Sequence, residues 1–120
     1  MSAVESLVVM ADLLKKAVDE GVQARAWLLE HGPNDRNAAG AASVNYMMLM
    51  GYLCGGWVMG QSALKATRML EAGNGDAAFL KTKLITARFY FEHLLPRAGA
   101  YLAAVKAGSE TIMALEPDQF

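Results

Sequence analysis

Residues 37 to 64 contain no charged side chain, and this run restricts the fold of the chain more than any other feature. At nearly 30 residues it exceeds the roughly 20 apolar residues that a membrane-spanning helix needs. Its centre, MLMGYLCGGWVMG at Met48 to Gly60, is rich in Met and Gly rather than in Leu, Ile, Val and Phe. Because such a run is only weakly hydrophobic, membrane insertion is disfavoured. A helix without a charged face is instead typical of the centre of a helical bundle.

Length and charge restrict the class of protein further. A chain of 120 residues is long enough for one compact domain, and we assign residues 1–120 to a single domain. The 11 Lys and Arg residues nearly balance the 12 Asp and Glu residues, so the net charge is -1. A chain of this charge has no strong field that attracts nucleic acid or an anionic membrane. We therefore expect neither nucleic acid nor a membrane as a partner.

The cysteine content and the N-terminus indicate the cellular compartment. Cys54 is the single cysteine, so the chain cannot form an internal disulfide. Because Cys54 lies inside the apolar run, we expect it to pack as a small hydrophobic side chain. The N-terminal MSAVESLVVMADLLKK has no positively charged segment before its apolar residues, and Glu5 and Asp12 interrupt them, so we expect no signal peptide. These features are typical of a cytoplasmic protein.

The first helix is predicted over residues 3–31, where apolar residues recur every three or four positions. Its expected core stripe is Val4, Leu7, Ala11, Leu14, Val18, Val22 and Leu29, with Arg25 at the remaining position. The segment HGPNDRN then predicts a corner, because Gly32 suits a helix end and Pro33 cannot continue the helix. The second helix is predicted over residues 38–72 and contains the charge-free run.

The third helix is predicted over residues 76–107, after the corner EAGNGD. Gly73 and Gly75 can adopt positive φ there, and Asp76 can cap the helix. Its expected core stripe is Leu80, Leu84, Ala87, Phe91, Leu94 or Leu95, Ala98, Leu102 and Val105. Because this stripe continues past Pro96, we predict a kink near that residue rather than a helix end. Gly108 predicts a stop, followed by a short helix over residues 109–116.

Together these patterns predict an all-α fold: an up-down bundle of three long helices, the third kinked near Pro96, plus a short C-terminal helix. No segment alternates in the way that a β-strand requires. The competing interpretation is a helical hairpin inserted in a membrane. It is disfavoured because the two flanking helices are amphipathic and need a partner for their apolar stripes, which a central apolar helix supplies.

The second helix also has a pattern of small residues that suggests a contact surface. Glycines four residues apart, in GYLCG at 51–55 and in GWVMG at 56–60, allow a neighbouring helix to approach closely. The three rings of FYF at 89–91 point in different directions around the third helix, so only part of the set can enter the core. The candidate interface residues are Gly51, Gly55, Trp57, Met59, Phe89 and Tyr90.

The sequence contains no recognisable catalytic or metal-binding motif. His31 and His93 have no Cys or carboxylate neighbours at the spacing of metal ligands. Asp76, Glu92 and Glu110 are isolated carboxylates without an evident acid–base partner. We therefore assign no catalytic, cofactor-binding or metal-binding residue.

Much of the chain resembles a known family. KTKLITARFYFEHLLPRAGAYLAAVKAGSETIMAL at 81–115, with GYLCGGWVMGQSALKA at 51–66, resembles the C-terminal helical domain of a subgroup of acyl-CoA dehydrogenases. The resemblance is strongest in the A-R-F-x-x-E-x-x-L-P run at 87–96, the Ala107-Gly108 pair and the terminal Met113-Ala114-Leu115. In that subgroup the domain follows the flavin-binding dehydrogenase part.

The resemblance implies a parent flavoprotein that oxidises an acyl-CoA thioester to its α,β-enoyl form, with FAD as hydride acceptor and a glutamate as base. No motif of those upstream domains matches this sequence, so the resemblance implies no cofactor in this domain. The chain would be an excised domain or a separately encoded remnant, non-catalytic on its own. Its expected partners are the dehydrogenase domains of the parent enzyme or a second copy of itself, as a homodimer. The alternative is an independent helical dimerisation or adaptor module with no enzyme partner.

Overall fold

The structure, a computed structural model, describes residues 2–120 and is all-helical over that range. The α-helices are α1 (Ala3–His31), α2 (Ala38–Glu71), α3 (Ala77–Phe89) and α4 (Arg97–Lys106). A π-helical turn at Tyr90–Leu94 joins α3 to α4, and short 3-10 helices lie at Gly32–Asn34 and Pro117–Gln119. The predicted bundle of three long helices is confirmed, since α3, the π-helical turn and α4 form one bent third arm.

The helix ends have local causes in the sequence. Ser2 caps α1 through a reciprocal pair of hydrogen bonds with Glu5, the capping box that the spacing S-x-x-E indicates. The Asp76 carboxylate accepts hydrogen bonds from the backbone N–H groups of Ala78 and Phe79, which confirms the predicted cap of α3. Gly73 and Gly75 have φ values of 70° and 78°, so the corner between α2 and α3 uses the conformation that glycine favours.

The bend in the third arm combines a proline with a π-helical turn. Pro96 has no backbone N–H, and in a regular helix its ring would oppose the carbonyl of Glu92. In the structure the Leu95 N–H donates to the Tyr90 carbonyl, five residues back, at 2.9 Å. The wider turn changes the direction of the chain before Pro96, and α4 begins at the next residue. The predicted kink near Pro96 is thus confirmed.

The core consists of two hydrophobic clusters along the bundle. The first contains Met10, Ala17, Ala63, Ala87, Phe91 and Leu95. The second contains Ala24, Ala42, Leu49, Ala98 and Val105. Each cluster draws residues from α1, α2 and the third arm. The central helix is α2, because α1 and the third arm both pack mainly against it. The buried residues of the third arm are those of its predicted stripe, which is confirmed.

The predicted inward face of α1 is wrong by a rotation about the helix axis. Val4, Val18 and Val22 were expected in the core but are 58%, 45% and 56% exposed. The buried face instead contains Met10, Ala17, Gly21 and Ala24. The physical reason is close packing, because a Cβ at Gly21 would lie 2.9 Å from a methyl group of Leu53 on α2. Small residues let α1 approach α2 closely and leave its valines outside.

The predicted short helix over residues 109–116 is also wrong. These residues form turns, with the Met113 N–H donating to the Ser109 carbonyl at 3.0 Å. Pro117 begins a 3-10 helix at Pro117–Gln119 rather than ending an α-helix. Ile112 and Met113 are 60% and 58% exposed. A segment this short has no packed face to stabilise it, and isolated helical turns are unfavourable in water.

Candidate docking surface

The inner side of α2 packs closely against the bend of the third arm. A Cβ added at Gly55 would overlap the Tyr90 hydroxyl and lie 2.8 Å from its ring carbon Cζ. A Cβ at Gly56 would lie 3.0 Å from a methyl group of Leu95 and 3.3 Å from one of Leu14. The predicted close approach through glycine is therefore confirmed at Gly55 and Gly56. These glycines let the central helix contact both of its neighbours.

Hydrogen bonds and ring stacking connect α2 to the third arm at this bend. The Tyr90 hydroxyl donates to the Tyr52 backbone carbonyl at 2.7 Å, and the Arg97 guanidinium donates to the Tyr52 hydroxyl at 3.2 Å. Tyr52 also stacks on Tyr101, with ring centroids 5.8 Å apart. Burial raises the pKa of the Tyr90 hydroxyl above its ordinary value, and the neighbouring Tyr52 and Cys54 add to the rise. The motif FYF gave no sign of this hydrogen bond, which depends on a glycine 35 residues earlier.

Within residues 2–120, no helix covers the outer face of α2. We define this face by Val44, Met47, Gly51, Cys54 and Val58, which recur every three or four residues and are all exposed. Val44, Met47 and Val58 are 63%, 62% and 52% exposed, and nothing lies within 4 Å of a Cβ at Gly51. The expectation that Cys54 packs as a buried hydrophobe is wrong, because its thiol is exposed. An uncharged helical face of this length in water is typical of a contact surface.

A groove runs beside this face, between α1 and α2. Its volume is about 260 Å³. It is lined by Leu7, Met10, Ala11, Leu14, Trp57, Gly60, Gln61, Leu64 and Phe91. Trp57 forms one wall of the groove. It is 59% exposed, although tryptophan has the largest side chain of the twenty amino acids. We call this the Trp57 groove.

The opposite wall of the Trp57 groove continues into an exposed apolar stripe on α1. We define the valine stripe by its exposed residues Val4, Val8, Ala11, Val18, Val22 and Leu29. Ala11 belongs to both the stripe and the groove, so the two surfaces are continuous. Lys15 and Arg25 share this side of the helix, while Glu5, Asp12 and Asp19 lie along one edge of it. The apolar surface of α1 is therefore bordered by charge, unlike that of α2.

The candidate interface residues divide into two groups in the structure. Gly51, Trp57 and Phe89 are exposed, and Phe89 stacks on His93 with ring centroids 5.0 Å apart. Gly55, Met59 and Tyr90 are partly buried between helices, where Met59 and Tyr90 pack against the first core cluster. The first group is available to a partner, and the second supports the helix that presents it.

One hydrogen bond connects two segments that lie far apart in the sequence, and no sequence pattern predicts it. The Ser109 hydroxyl donates to the Asp35 carboxylate, which also accepts from the Asn37 backbone N–H at 2.9 Å. These bonds lower the pKa of Asp35 below its ordinary value, with the Ser109 bond as the larger cause. The contact holds the segment after α4 against the corner between α1 and α2. No pattern in the sequence links residues 74 positions apart.

The two histidines, His31 and His93, stack on aromatic rings of their own helical segments. His31 Nδ1 lies 2.9 Å from the Trp27 carbonyl, and its ring stacks on Trp27. No group of three or more His, Cys, Asp or Glu residues in this range is placed to hold a metal ion. The N-terminus of α3 would suit a phosphate, but the Asp76 carboxylate already occupies its free N–H groups.

The sequence comparisons agree with this helical architecture. Residues 1–116 match the family described as "Acetyl-CoA dehydrogenase C-terminal like". The chain belongs to this acyl-CoA dehydrogenase C-terminal domain family. A curated relative, 3-methylmercaptopropionyl-CoA dehydrogenase of Ruegeria pomeroyi, is 42% identical over 73 residues. That match spans 61% of this chain and 12% of the relative.

Membership of the acyl-CoA dehydrogenase C-terminal domain family gives the exposed faces a context. The matched relative is much longer than this chain, since the shared segment amounts to 12% of its length. None of the helices within residues 2–120 combines the length and the apolarity that a bilayer crossing requires. The apolar run that could have been a membrane span is instead the central helix of this domain, with one face against its neighbours and one face open.

Proposed function

We propose that this chain is a non-catalytic helical domain of an acyl-CoA dehydrogenase that packs against the dehydrogenase body or a neighbouring subunit. The observation that carries the proposal is the apolar side of the bundle, formed by the Trp57 groove, the valine stripe and the outer face of α2. Charged residues are absent from α2 between residues 37 and 64. An isolated helical bundle gains nothing from an uncharged surface of this extent, whereas an interface does.

The chemistry of the whole enzyme is proposed from the family. A flavoprotein of this family would oxidise an acyl-CoA thioester and use FAD as the hydride acceptor. The name of the Ruegeria pomeroyi relative, 3-methylmercaptopropionyl-CoA dehydrogenase, gives the type of substrate that the relative acts on. We place FAD and thioester in the dehydrogenase body, the part of the parent enzyme to which the family resemblance assigns flavin binding. We also place the enzyme in the cytoplasm, where the exposed Cys54 thiol would remain reduced.

Trp57 is the expected anchor of the contact. Tryptophan is enriched among the side chains that dominate interface affinity, and anchors of this kind fill pockets near the centre of an interface. Trp57 stands between the outer face of α2 and the valine stripe, so a partner that covers both surfaces must bury it. Phe89 is 55% exposed and provides a further contact where the third arm reaches the surface.

A binding experiment tests the docking. The dehydrogenase body of the Ruegeria pomeroyi relative, truncated before the matched segment, is mixed with this chain and analysed by size-exclusion chromatography and calorimetry. We expect a complex that Trp57→Glu weakens at least about tenfold, since a charge would enter an apolar pocket. Phe79→Glu is the matched control, because Phe79 is 57% exposed on α3 and lies outside the proposed surface.

The outcomes separate the proposal from its alternative. Absence of a complex, or a complex equally sensitive to both substitutions, would contradict docking through the Trp57 groove. A chain that self-associates but ignores the body would be an independent dimerisation module. Reduction of a dye by the chain alone, supplied with FAD and acyl-CoA, would overturn the non-catalytic assignment.

A further inference from the structure

We propose that the outer face of α2 is a self-complementary contact through which two copies of this chain pair with their α2 helices antiparallel, crossing at Gly51. The inference deepens the proposed function and rests on it, because it identifies the neighbouring subunit as a second copy and assigns it a separate surface. The Trp57 groove and the valine stripe remain for the dehydrogenase body.

The absence of charge favours a second copy as the occupant of this face. In a twofold contact each residue near the axis meets the same or a nearby residue of the partner, so a charge there would meet a like charge. The outer face has no charged residue between Arg36 and Lys65. The valine stripe of α1 does not meet this requirement, because Lys15 and Arg25 share its side of the helix. The outer face of α2 can therefore pair with itself without burying a charge, whereas pairing through the valine stripe would bury Lys15 and Arg25.

Exposed side chains lie at nearly matching distances on both sides of Gly51. Val44 lies seven residues before it and Val58 seven residues after it, and both are exposed. Met47 lies four residues before it and Cys54 three residues after it, also exposed. In an antiparallel pair centred on Gly51, each valine therefore faces a valine and each long Met47 faces a short Cys54. Such alternation of large and small side chains is what interdigitating helices need.

Gly51 supplies the close approach at the crossing point. Nothing among residues 2–120 lies within 4 Å of a Cβ at this position, so its lack of a side chain serves no contact among these residues. Gly55 and Gly56 on the same helix both have such contacts. Glycine weakens an exposed helix, and a second helix passing close to Gly51 is a physical reason for a glycine at this position.

The geometry also accounts for the charged ends of the face. Helices that interdigitate over several turns commonly cross at about +20°, so their ends diverge gradually from the crossing point. Arg36 and Lys65 lie roughly 20 Å from Gly51 along the helix at 1.5 Å per residue, which keeps them apart between the two copies. The central contact would then cover about four turns, from Val44 to Val58. The shallow cleft formed by Met47, Met48, Gly51, Tyr52 and Tyr90 borders it.

Light scattering on the whole chain is the first part of the test. A stable dimer buries about 800 Å² per partner, about one tenth of the 7935 Å² surface of this chain. The concentration series should therefore extend from about 1 µM to 1 mM, to include a weak contact. We expect a monomer–dimer equilibrium that Gly51→Lys weakens about 100-fold by burying unpaired charge at the axis. Because Gly51 has no contact within the bundle, helical circular dichroism should be unchanged.

Disulfide capture tests the antiparallel register. In this register the two Cys54 residues lie about 9 Å apart along the helix, which is too far to bridge, whereas Met47→Cys creates a cysteine opposite the partner's Cys54. We expect Met47→Cys to form intermolecular disulfides at least about tenfold faster than the natural sequence. Lys65→Cys is the control, because it is exposed on the same side of α2 but lies far from the partner's Cys54 in this register.

Two results would overturn the inference. One is a monomer at every concentration, and the other is capture through Cys54 alone as fast as in Met47→Cys, which indicates parallel or random contacts. Neither result affects the proposed function, which is tested separately by titrating the dehydrogenase body. If both proposals hold, Gly51→Lys will be monomeric and will still bind the body.

Discussion

At the residue scale, Gly55 is the glycine that leaves the least space for an added methyl group, because the Tyr90 side chain packs directly against it. A methyl group at position 55 would overlap the Tyr90 hydroxyl and displace it from the Tyr52 carbonyl. Gly51 lies one turn earlier in the same helix, and nothing among residues 2–120 lies within 4 Å of a Cβ at this position. The two glycines therefore look alike in the sequence but have different roles, which only the position of the neighbouring arm distinguishes.

We expect Gly55→Ala to lower the free energy of unfolding by about 1–3 kcal/mol, the usual cost of overpacking. Gly51→Ala should raise it by about 0.5–1 kcal/mol, since alanine favours the helix and meets no obstacle. Urea denaturation in dilute solution checks both variants. Combining Gly55→Ala with Tyr90→Phe should recover part of the loss, because the hydroxyl is the nearest atom. Equal effects of the two alanines would contradict the close contact.

The Tyr90 hydroxyl also predicts a pH dependence. Its pKa in the folded chain is raised above the ordinary value of 10.0, mainly by burial. The proton is held more tightly in the folded state than in the unfolded state, so this contribution to stability is complete below pH 10 and is lost as the pH rises through the folded pKa. We expect Tyr90→Phe to cost about 1 kcal/mol at neutral pH through the lost hydrogen bond. Its unfolding energy should then fall less steeply than that of the natural chain above pH 10.

At the element scale, the sequence predicted correctly the helices that have a single apolar face and a clear capping or helix-breaking residue at their ends. The third arm is an example, because its stripe, the Asp76 cap and Pro96 each indicate the same structure. α1 was placed correctly along the chain but rotated, because it is apolar on two adjacent faces and only the small residues Ala17 and Gly21 decide which one packs. The π-helical turn and the Tyr90 hydrogen bond could not be predicted, since both depend on how the third arm meets α2.

The segment after α4 provides an element-scale test. The Ser109 hydroxyl holds the pKa of Asp35 below its ordinary value of 3.8. A lowered carboxyl pKa contributes stability that is present above about pH 3.8 and is lost as the pH falls through the folded pKa. We expect Ser109→Ala to move the pKa of Asp35 up toward 3.8 and to reduce the loss of stability between the two pKa values. An NMR titration of the Asp35 carboxyl checks this, and an unchanged pKa would exclude the contact.

At the scale of the whole molecule, the uncharged run of α2 can be compared with how far its neighbours cover this helix. The bundle measures 65 × 29 × 20 Å, and its central helix is too thinly covered by two neighbours to bury all sides. The uncharged run that first suggested a membrane is explained in part by the core, where Leu49 and Ala63 are fully buried. The rest of the run faces outward with Met47, Cys54 and Val58. Its composition makes sense if this side is covered in the assembled enzyme.

The most direct test of that covering is the reactivity of Cys54, which lies at the middle of the outer face. The thiol is labelled with a maleimide in the dilute isolated chain and in the intact enzyme that contains it, and the modified peptide is quantified by mass spectrometry. We expect labelling at the rate of an exposed thiol in the dilute chain, and labelling at least about tenfold slower in the enzyme, because the reagent then competes with a bound partner. Equal rates in the two samples would show that the outer face stays open to water and would contradict its role as an interface.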